Sequence, residues 1–373
     1  MALAIKNMLV LQGVSKVYYN PNNIIFGYKI ILYLQKRCVM SKVTLETIAK
    51  EIGTTKNTVS RALRNKPGVG EALRSKIVDM AEQVGYHKNG KETNDSFTKV
   101  TMVCNSALTT DTYFWPSVIR GVFEYSSKHQ ISIQSVIIDM IKDDVKYLLP
   151  LQEKHCDGIL VIGGIPDIQF KRIADLGIPM VAIDHYSDYV ACDYINTANV
   201  NGIIRAVDFL VDSGHRKIGF INNETAPYNY SLTQRHKGFL RRMEALGLEV
   251  DSNFVWPNAS YSNNEYIQNQ MKQWGSHKDM PTAWICGNDL TAYNFCTVLL
   301  ENGLSVPDDM SIIGFDNIPG VFHTQLTTLD VPQHTMGISA LRKLMRRLRH
   351  PDEPYENIEI FTNLLVRGSV KKI

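Results

Sequence analysis

The spacing of apolar positions changes character along the chain, and the first stretch in which it is regular is helical. Leu45, Ile48, Ala49 and Ile52 fall at i, i+3, i+4 and i+7, with Thr44 placed to cap the helix they define. Gly53 supplies a turn. A second helix is predicted from the cap Thr55, with Val59, Ala62 and Leu63 inward and Lys56, Asn57, Ser60, Arg61 and Arg64 along an outward polar stripe. A third helix is predicted from about Gly70 to Val84, its core face made of Leu73, Ile77, Met80, Ala81 and Val84. Three short helices with a tight glycine turn between the first two describe a helix-turn-helix unit.

The next segment, HKNGKETNDSFT from His87 to Thr98, is polar, contains Gly90 and has no apolar period, as a linker does. Beyond it strands and helices alternate. Val100–Cys104, Ile131–Ile138, Gly158–Ile162 and Pro179–Ile183 are predicted strands, with helices Trp115–His129, Asp143–Lys154 and Asp167–Leu176 between them. The order then repeats. Helix Val200–Ser213 leads to strands Lys217–Ile221, Ala283–Cys286 and Ser311–Phe315, interleaved with helices Thr233–Leu246, Asn264–Trp274 and Asp289–Asn302. Such alternation implies parallel sheets flanked by helices, and two rounds of it imply two lobes with a ligand cleft outside the carboxyl ends of the strands.

Charge sharpens this division. The chain has 373 residues and a net charge of only +3, but it is unevenly spread. Residues 1–40 carry five Lys and Arg and no acid, residues 41–91 carry ten against five, and the remainder is therefore at −7. A basic head on an acidic body suits contact with a polyanion. The six cysteines are scattered, without CxxC pairs or Cys/His spacing suited to zinc, which favours reduced thiols in a reducing compartment. No apolar stretch of about 18 residues exists, so no membrane span is expected, and no small-residue cleavage site follows the run Asn23–Leu34. The first 39 residues keep no period, and Met40 stands just before the patterning begins, which marks it as the expected start of translation. The alternative makes residues 1–39 a basic arm touching DNA phosphates.

The outward stripe of the second helix is the strongest local chemistry. A helix reads the major groove when its outward side chains hydrogen-bond base edges while neighbouring cations hold phosphates; Lys56 and Asn57 at its start and Arg61 one turn on are so placed. A solvated charged face explains the same stripe without DNA. Elsewhere, Gly68-Val69-Gly70 lacks the strand and third glycine of a dinucleotide loop, and neither GxSxG nor HExxH occurs. His215 precedes a strand in a turn and is expected to make a structural hydrogen bond. The basic run Arg342, Lys343, Arg346, Arg347 and Arg349 beside Leu341, Leu344, Met345 and Leu348 is expected to be a solvated helix face.

The run VTLETIAKEIGTTKNTVSRAL at Val43–Leu63, followed by a third helix ending in Gly85-Tyr86, resembles the headpiece of the LacI/GalR family of bacterial regulators. The resemblance continues through Asp157-Gly158-Ile159-Leu160, Gly177-Ile178-Pro179, Gly214-His215-Arg216-Lys217-Ile218, Arg235-xx-Gly238-Phe239, Asn288-Asp289, Val306-Pro307-Asp308-Asp309 and Gly314-Phe315-Asp316-Asn317, and covers about residues 43–369. It implies an α/β protein with a three-helix headpiece and a two-lobed domain like periplasmic binding proteins. By this resemblance Lys56, Asn57 and Arg61 read base edges, while Thr44, Thr55, Thr58 and Ser60 contact phosphate. It also implies a cleft with Tyr113 and Phe114 on the first strand-to-helix loop, Asp184 after the fourth strand, Arg235 opening a helix, and Asn288, Asp316 and Asp330 on the inner edge of the second lobe. Carboxylates, an amide and a guanidinium beside aromatic rings suit a polyhydroxylated ligand.

Two departures stand out. The family's hinge helix carries an Ala-Arg-x-Leu signature whose leucine wedges into the minor groove, but after Asn89 this chain has Glu92, Thr93 and Asp95 at or near those positions. A carboxylate cannot act as an apolar wedge and is repelled by phosphate. The family's Asp-Asn before the lobe crossover is replaced by Thr197-Ala198.

These readings lead to an expected organisation: residues 1–40 an extension, 41–87 the DNA-binding headpiece, 88–98 the linker, and 99–373 an effector domain. Lobe 1 is expected at about 99–197 and 333–361, and lobe 2 at about 198–330 and 362–373. The expected function is a cytoplasmic, homodimeric regulator, a repressor of carbohydrate-utilisation genes, with double-stranded operator DNA and a sugar as partners and without cofactor, metal or catalysis. A sugar-binding transport protein and a regulator answering to a purine or other non-sugar ligand are the alternatives. An enzyme would need a nucleophile, metal set or cofactor loop beside the carboxylates, and the sequence offers none.

Overall fold

The computed structural model describes residues 44–63, 66–83, 97–109, 111, 113–138, 148, 151, 156–223, 229–257, 259, 264–272, 274, 280–319 and 325–373. The extension and Met40, the linker residues Asn89, Glu92, Thr93 and Asp95, and most of the helix expected at Asp143–Lys154 lie outside them.

Three helices form the headpiece: α1 (Leu45–Ile52), α2 (Lys56–Leu63) and α3 (Glu71–Gln83). Thr44 caps α1, its hydroxyl accepting from Thr47 N while Thr47 returns the bond, and Gly53 ends the helix at φ 73°. Nothing lies within 4 Å of a Cβ built on Gly53, so the positive φ, not space, calls for glycine there. Apart from Val84, which lies outside the described residues, the expected inward residues meet in one core, with Ile48, Ala49, Val59, Ala62, Ile77 and Ala81 buried and Leu45, Ile52, Leu63, Leu73 and Met80 packed on it. Arg74 fastens the C-terminal side of α2 by donating to the carbonyls of Ala62 (3.1 Å) and Lys66 (2.8 Å).

The body holds two six-stranded sheets. The first comprises β1 (Thr98–Asn105), β2 (Ile131–Ile138), β3 (Gly158–Ile162), β4 (Met180–Ile183), β5 (Asp193–Thr197) and β11 (Asn357–Ile360), in the order β11-β5-β4-β3-β1-β2 and parallel throughout. Helices α4 (Trp115–Lys128), α5 (Asp167–Ala174) and α10 (Gln333–Arg349) accompany it. The second comprises β6 (Ile218–Ile221), β7 (Val255–Trp256), β8 (Ala283–Cys286), β9 (Ser311–Asp316), β10 (Thr327–Asp330) and β12 (Asn363–Leu365), in the order β12-β10-β9-β8-β6-β7. Only β12, at its edge, pairs antiparallel. Helices α6 (Asn199–Asp212), α7 (Tyr230–Ala245), α8 (Asn264–Lys272) and α9 (Asp289–Glu301) accompany this second sheet. The α/β architecture expected from the alternation is thus present, and strands such as β3, buried at every position, read as continuous apolar runs because helices cover both faces.

The chain passes from the first sheet to the second between Thr197 and Asn199, returns between Asp330 and Gln333, and passes over again between Ile360 and Asn363. Helices α4 and α10 approach closely: a Cβ on Gly121 would overlap the His334 carbonyl, and one on Gly337 would overlap that of Val118. Among the described residues, no helix is long and apolar enough to cross a membrane, and Cys104, Cys156, Cys192, Cys286 and Cys296 are free thiols.

The basic run corrects an expectation. Lys343 and Arg347, i and i+4 on α10, are not solvated but 6% and 3% exposed. Arg347 grips fully buried Asp193 through Nε (2.8 Å) and Nη2 (3.2 Å), and Lys343 Nζ stands 3.3 Å from the same carboxylate. The carbonyls of Pro351, Glu353 and Pro354 accept the remaining guanidinium hydrogens, and Tyr355 covers it. A buried cation needs such a partner set. His215 is fully buried, with Nε2 donating to the Lys371 carbonyl (3.1 Å) and Nδ1 accepting from the Thr282 hydroxyl (2.8 Å).

Candidate functional site

On the headpiece, Lys56, Asn57 and Arg61 are exposed on α2, and Thr58 and Ser60 are half-buried beside them. Thr55 caps α2: its hydroxyl accepts from Thr58 N (3.2 Å) and bonds the Thr58 hydroxyl (2.9 Å). Lys56 pairs with Glu46 of α1 at 2.6 Å, and Arg61 donates to the Pro67 carbonyl at 2.5 Å. Among the described residues α2 therefore presents a contiguous surface of amide, hydroxyl and cation, of the kind that binds phosphates and base edges. Both cations already have an acceptor within the headpiece.

The second site is a cavity of about 120 Å³ between the two sheets' loops. Six of the expected residues line it: Tyr113, Phe114, Asp184, Arg235, Asn288 and Asp316. Asp330 does not. Its carboxylate accepts from Asn317 Nδ2 (2.8 Å), and Asn317 in turn accepts from Arg367 (2.7 Å), so Asp330 braces the Asp316–Asn317 bend from the neighbouring strand.

Each lining group is set by local structure. Asp111 makes an Asx turn, its Oδ1 accepting from Tyr113 N (2.7 Å) and Phe114 N (3.0 Å), and so presents the aromatic run Tyr113-Phe114-Trp115 at the start of α4. Asn288 caps α9 by accepting from Thr291 N (2.8 Å). Asp184 and Asp316 follow β4 and end β9 with φ of 53° and 106°, and Asn317 has φ 50°. Left-handed backbone at non-glycine residues is costly and clusters at working sites.

Arg235 is the one cation among the described lining residues, and it is 3% exposed. Its Nε donates to Asn199 Oδ1 (2.9 Å), Nη1 to the Gly287 carbonyl (2.7 Å), and its guanidinium lies 3.7 Å above the Phe315 ring. Nη2 stands 3.0 Å from Asp316 Oδ1 as an ion pair, but without hydrogen-bond alignment, so Oδ1 is a buried acceptor that lacks a hydrogen bond among the described residues. Asp184 accepts from the Ser231 hydroxyl.

Behind Asp316, buried Asp289 accepts from the Thr328 hydroxyl (2.7 Å) and Ile318 N (3.0 Å). The Arg235 charge thus favours ionisation of Asp184, Asp289 and Asp316, and Arg367 assists it at Asp289. Burial pushes Asp316 up to about 7 against the pull of Arg235, and Asp289 up to about 6. Asp184 is also raised by burial.

The sequence reading missed Asp111, Trp115, Asn229, Ser231, Leu232, Leu290 and Ile318, which also line the cavity. Ser231 had a usable signal, since it lies four residues before Arg235 on the same helix face. Asp111 had another, standing where an Asx turn would present the aromatic pair.

A headpiece able to meet nucleic acid and a two-lobed domain closing on a polar cavity define a ligand-responsive DNA-binding protein. The chain belongs to the LacI family of bacterial regulatory proteins. Residues 44–89 match the model of that family, and residues 207–370 match the periplasmic binding protein-like domain. Two relatives, each named HTH-type transcriptional repressor PurR, come from Mannheimia succiniciproducens and Haemophilus influenzae. They are both 28% identical, over 335 and 338 residues, covering 88% of this chain and 99% of the relative. Among solved structures, the transcriptional regulator CelR–cellobiose complex has a TM-score of 0.64 at 22% identity, covering 88% of this chain and 100% of that one. The lac repressor dimer bound to operator and the anti-inducer ONPF has a TM-score of 0.64 at 18% identity, covering 89% and 100%. At such identities the likeness shows the fold alone.

Proposed function

We propose that the chain is a cytoplasmic, homodimeric repressor that binds a near-palindromic operator through α2 and senses a small polyhydroxylated molecule in the Arg235–Asp316 cavity. The observation that carries the ligand reading is the buried Asp316 Oδ1, which lacks an aligned hydrogen bond among the described residues, set beside Arg235 in a cavity that an aromatic run also lines. A sugar hydroxyl meets such an acceptor, and an apolar sugar face meets the rings. The PurR relatives carry the repressor reading. One headpiece buries too little surface for specific binding, so two copies related by two-fold symmetry read two half-sites. The boundaries that go with this reading are 41–87 for the headpiece, 88–98 for the linker and 99–373 for the effector domain. In the headpiece Lys56, Asn57 and Arg61 read base edges, and Thr44, Thr55, Thr58 and Ser60 hold phosphate.

The relatives named PurR favour a second reading, a purine-like ligand. Thermal-shift measurements with D-ribose, D-glucose, cellobiose, hypoxanthine and guanine decide between them, because a ligand of the folded state raises the melting temperature. Stabilisation by a sugar and not by either purine supports the first reading. The opposite result supports the second, and no stabilisation by any compound overturns the assignment of the cavity.

A further inference from the structure

We propose that Asn199 is a positioning residue of the cavity, holding the Arg235 guanidinium in place and joining it to the first crossover between the two sheets. The proposal rests on the cavity being the effector site. Asn199 is 1% exposed and does not line the cavity, so it acts on a ligand only through its neighbours. Its side chain is fully committed. Oδ1 accepts from Arg235 Nε at 2.9 Å, and Nδ2 donates to the Ser231 hydroxyl at 2.9 Å and to the Thr197 carbonyl at 3.0 Å.

The placement gives this amide its meaning. Thr197 ends β5 and Asn199 begins α6, leaving Ala198 as the only residue between an element of one sheet and an element of the other. The Ser231 hydroxyl that receives the Asn199 hydrogen donates its own to Asp184, which follows β4 on the first side. One amide therefore connects the crossover backbone, the sole lining cation among the described residues, and a hydroxyl–carboxylate contact reaching back across the cavity. Arg235 has three further supports, in Gly287, Phe315 and Asp316. Of its supports, only Asn199 ties it to a crossover.

An acceptor on one side and two donors on the other are required, and only an amide offers both at this size. Alanine leaves Nε, the Ser231 hydroxyl and the Thr197 carbonyl short of a partner and frees the guanidinium to turn about Cδ–Nε. A guanidinium that turns moves its charge away from Asp316. The charged groups facing Asp316 are Arg235 from α7, Asp289 from α9 and Asp184 from the β4 end, and of these only Arg235 favours its ionised form.

The test follows the Asp316 carboxyl directly, by 13C NMR of aspartate-labelled full-length protein, with the resonance assigned from Asp316→Asn. In Asn199→Ala the midpoint is expected to rise by about one pH unit, the order of shift that one opposite charge at close range produces. Asn199→Gln, which can remake the bond to Nε, brings it back toward the wild-type value. Should Asn199→Ala not fold, Asn199→Ser carries the same titration. An unchanged midpoint in a folded variant overturns the proposal, as does a midpoint in Asn199→Gln equal to that in Asn199→Ala. Calorimetry with D-ribose, cellobiose and hypoxanthine runs beside it. Whichever of these binds the wild type is expected to bind Asn199→Ala at least about tenfold more weakly, and equal affinity overturns the proposal. If the wild type binds none of the three, the reading of the cavity fails, and the titration still decides the role of Asn199.

Discussion

Arg235 and Asp316 face each other at 3.0 Å inside the cavity, 4% and 11% exposed in their side chains, in a contact that neutralises charge without giving Oδ1 an aligned hydrogen bond. The pair is both a structural element and an open valence. In the proposed reading a ligand hydroxyl or N–H completes it; the two partners come from different elements, α7 and the end of β9.

Asp316→Asn and Asp316→Ala should therefore part company. The amide keeps the shape, and because Asp316 titrates at about 7 its neutral form is already substantially populated near neutrality. Alanine, which like asparagine removes the counter-ion of Arg235, also takes away the acceptor beside the guanidinium and opens a void, a further cost of about 1–3 kcal/mol. Chemical denaturation should show a small loss for Asn and a large one for Ala, and both should lose ligand-induced stabilisation. Full ligand response in folded Asp316→Asn would place the recognition elsewhere.

The pH dependence of stability has two opposed parts. Asp316 at about 7 and Asp289 at about 6 both lie above the ordinary 3.8, because burial disfavours the charged form. The folded chain holds protons there that the unfolded chain releases, so these groups favour the fold increasingly as pH falls from about 7 toward 4. His185 acts the other way. It is 3% exposed, both its ring nitrogens lack partners among the described residues, and burial lowers it from 6.5 to about 4. Its contribution is present above 6.5 and is lost as pH falls toward 4. His185→Phe should thus gain about 2 kcal/mol relative to the wild type between pH 7 and pH 5, from about 1.4 kcal/mol per unit below 6.5. Denaturant titrations at both values measure it, and the packing effect of the substitution cancels between them. No relative gain would mean that the imidazole is solvated.

Base readout and phosphate contact separate on α2. Asn57→Ala should weaken binding to a selected operator by about 1–3 kcal/mol and leave non-specific DNA nearly untouched. Neutralising a phosphate-contacting cation weakens both alike and flattens the salt dependence by about one counterion. Lys56→Ala distinguishes the two roles for that residue, since the proposed base contact predicts a loss on the operator alone. Gel shifts across a salt series give both quantities.

The polar linker carries a prediction of its own. With Asp95 near the position of the family's wedging leucine, the central operator step should tolerate substitution, since kinking costs less where nothing is inserted. Asp95→Leu should make binding sensitive to stiff central steps. Strong sensitivity in the unaltered chain would mean that another residue kinks the DNA.

Much of the fold was legible because it rests on periodicity. The expected strand Gly158–Ile162 and the start of the helix at Trp115 coincide with the observed bounds, as apolar runs and a proline at N2 suggest. Strand β5 was illegible for a physical reason. Its sequence DYINT looks like a loop, yet all five residues are buried. Asp193 is satisfied by Lys343 and Arg347, and the Asn196 Nδ2 donates to the His185 carbonyl and to Asn357. Those partners lie up to 161 residues away, beyond any local window. The same pairing drew Lys343 and Arg347 out of an apparently solvated basic run into the core, while Arg342, Arg346 and Arg349 stay exposed. At the cavity, Asp184, Arg235 and Asp316 announced themselves, whereas Leu232, Leu290 and Ile318 line it only because the fold brings the starts of α7 and α9 and the segment after β9 together there.

That buried cluster is itself testable. Asp193→Ala leaves Arg347 without its carboxylate and Lys343 with Glu356 alone (2.8 Å), and should cost about 3–5 kcal/mol, while Arg347→Lys also destabilises, because a lysine cannot make the paired contact to Asp193 or satisfy three carbonyls. Urea unfolding monitored by tryptophan fluorescence reports both. Wild-type stability in Arg347→Lys would show that charge alone suffices.

Affinity for an operator selected from random DNA, with and without the compound that stabilises the protein in the thermal-shift panel, bears most directly on whether the cavity controls DNA binding. Coupling between the two sites predicts a change of about 5–150-fold in the wild type and none in Asp316→Asn. Equal affinities in the presence and absence of the compound, or a change that survives in Asp316→Asn, would contradict it.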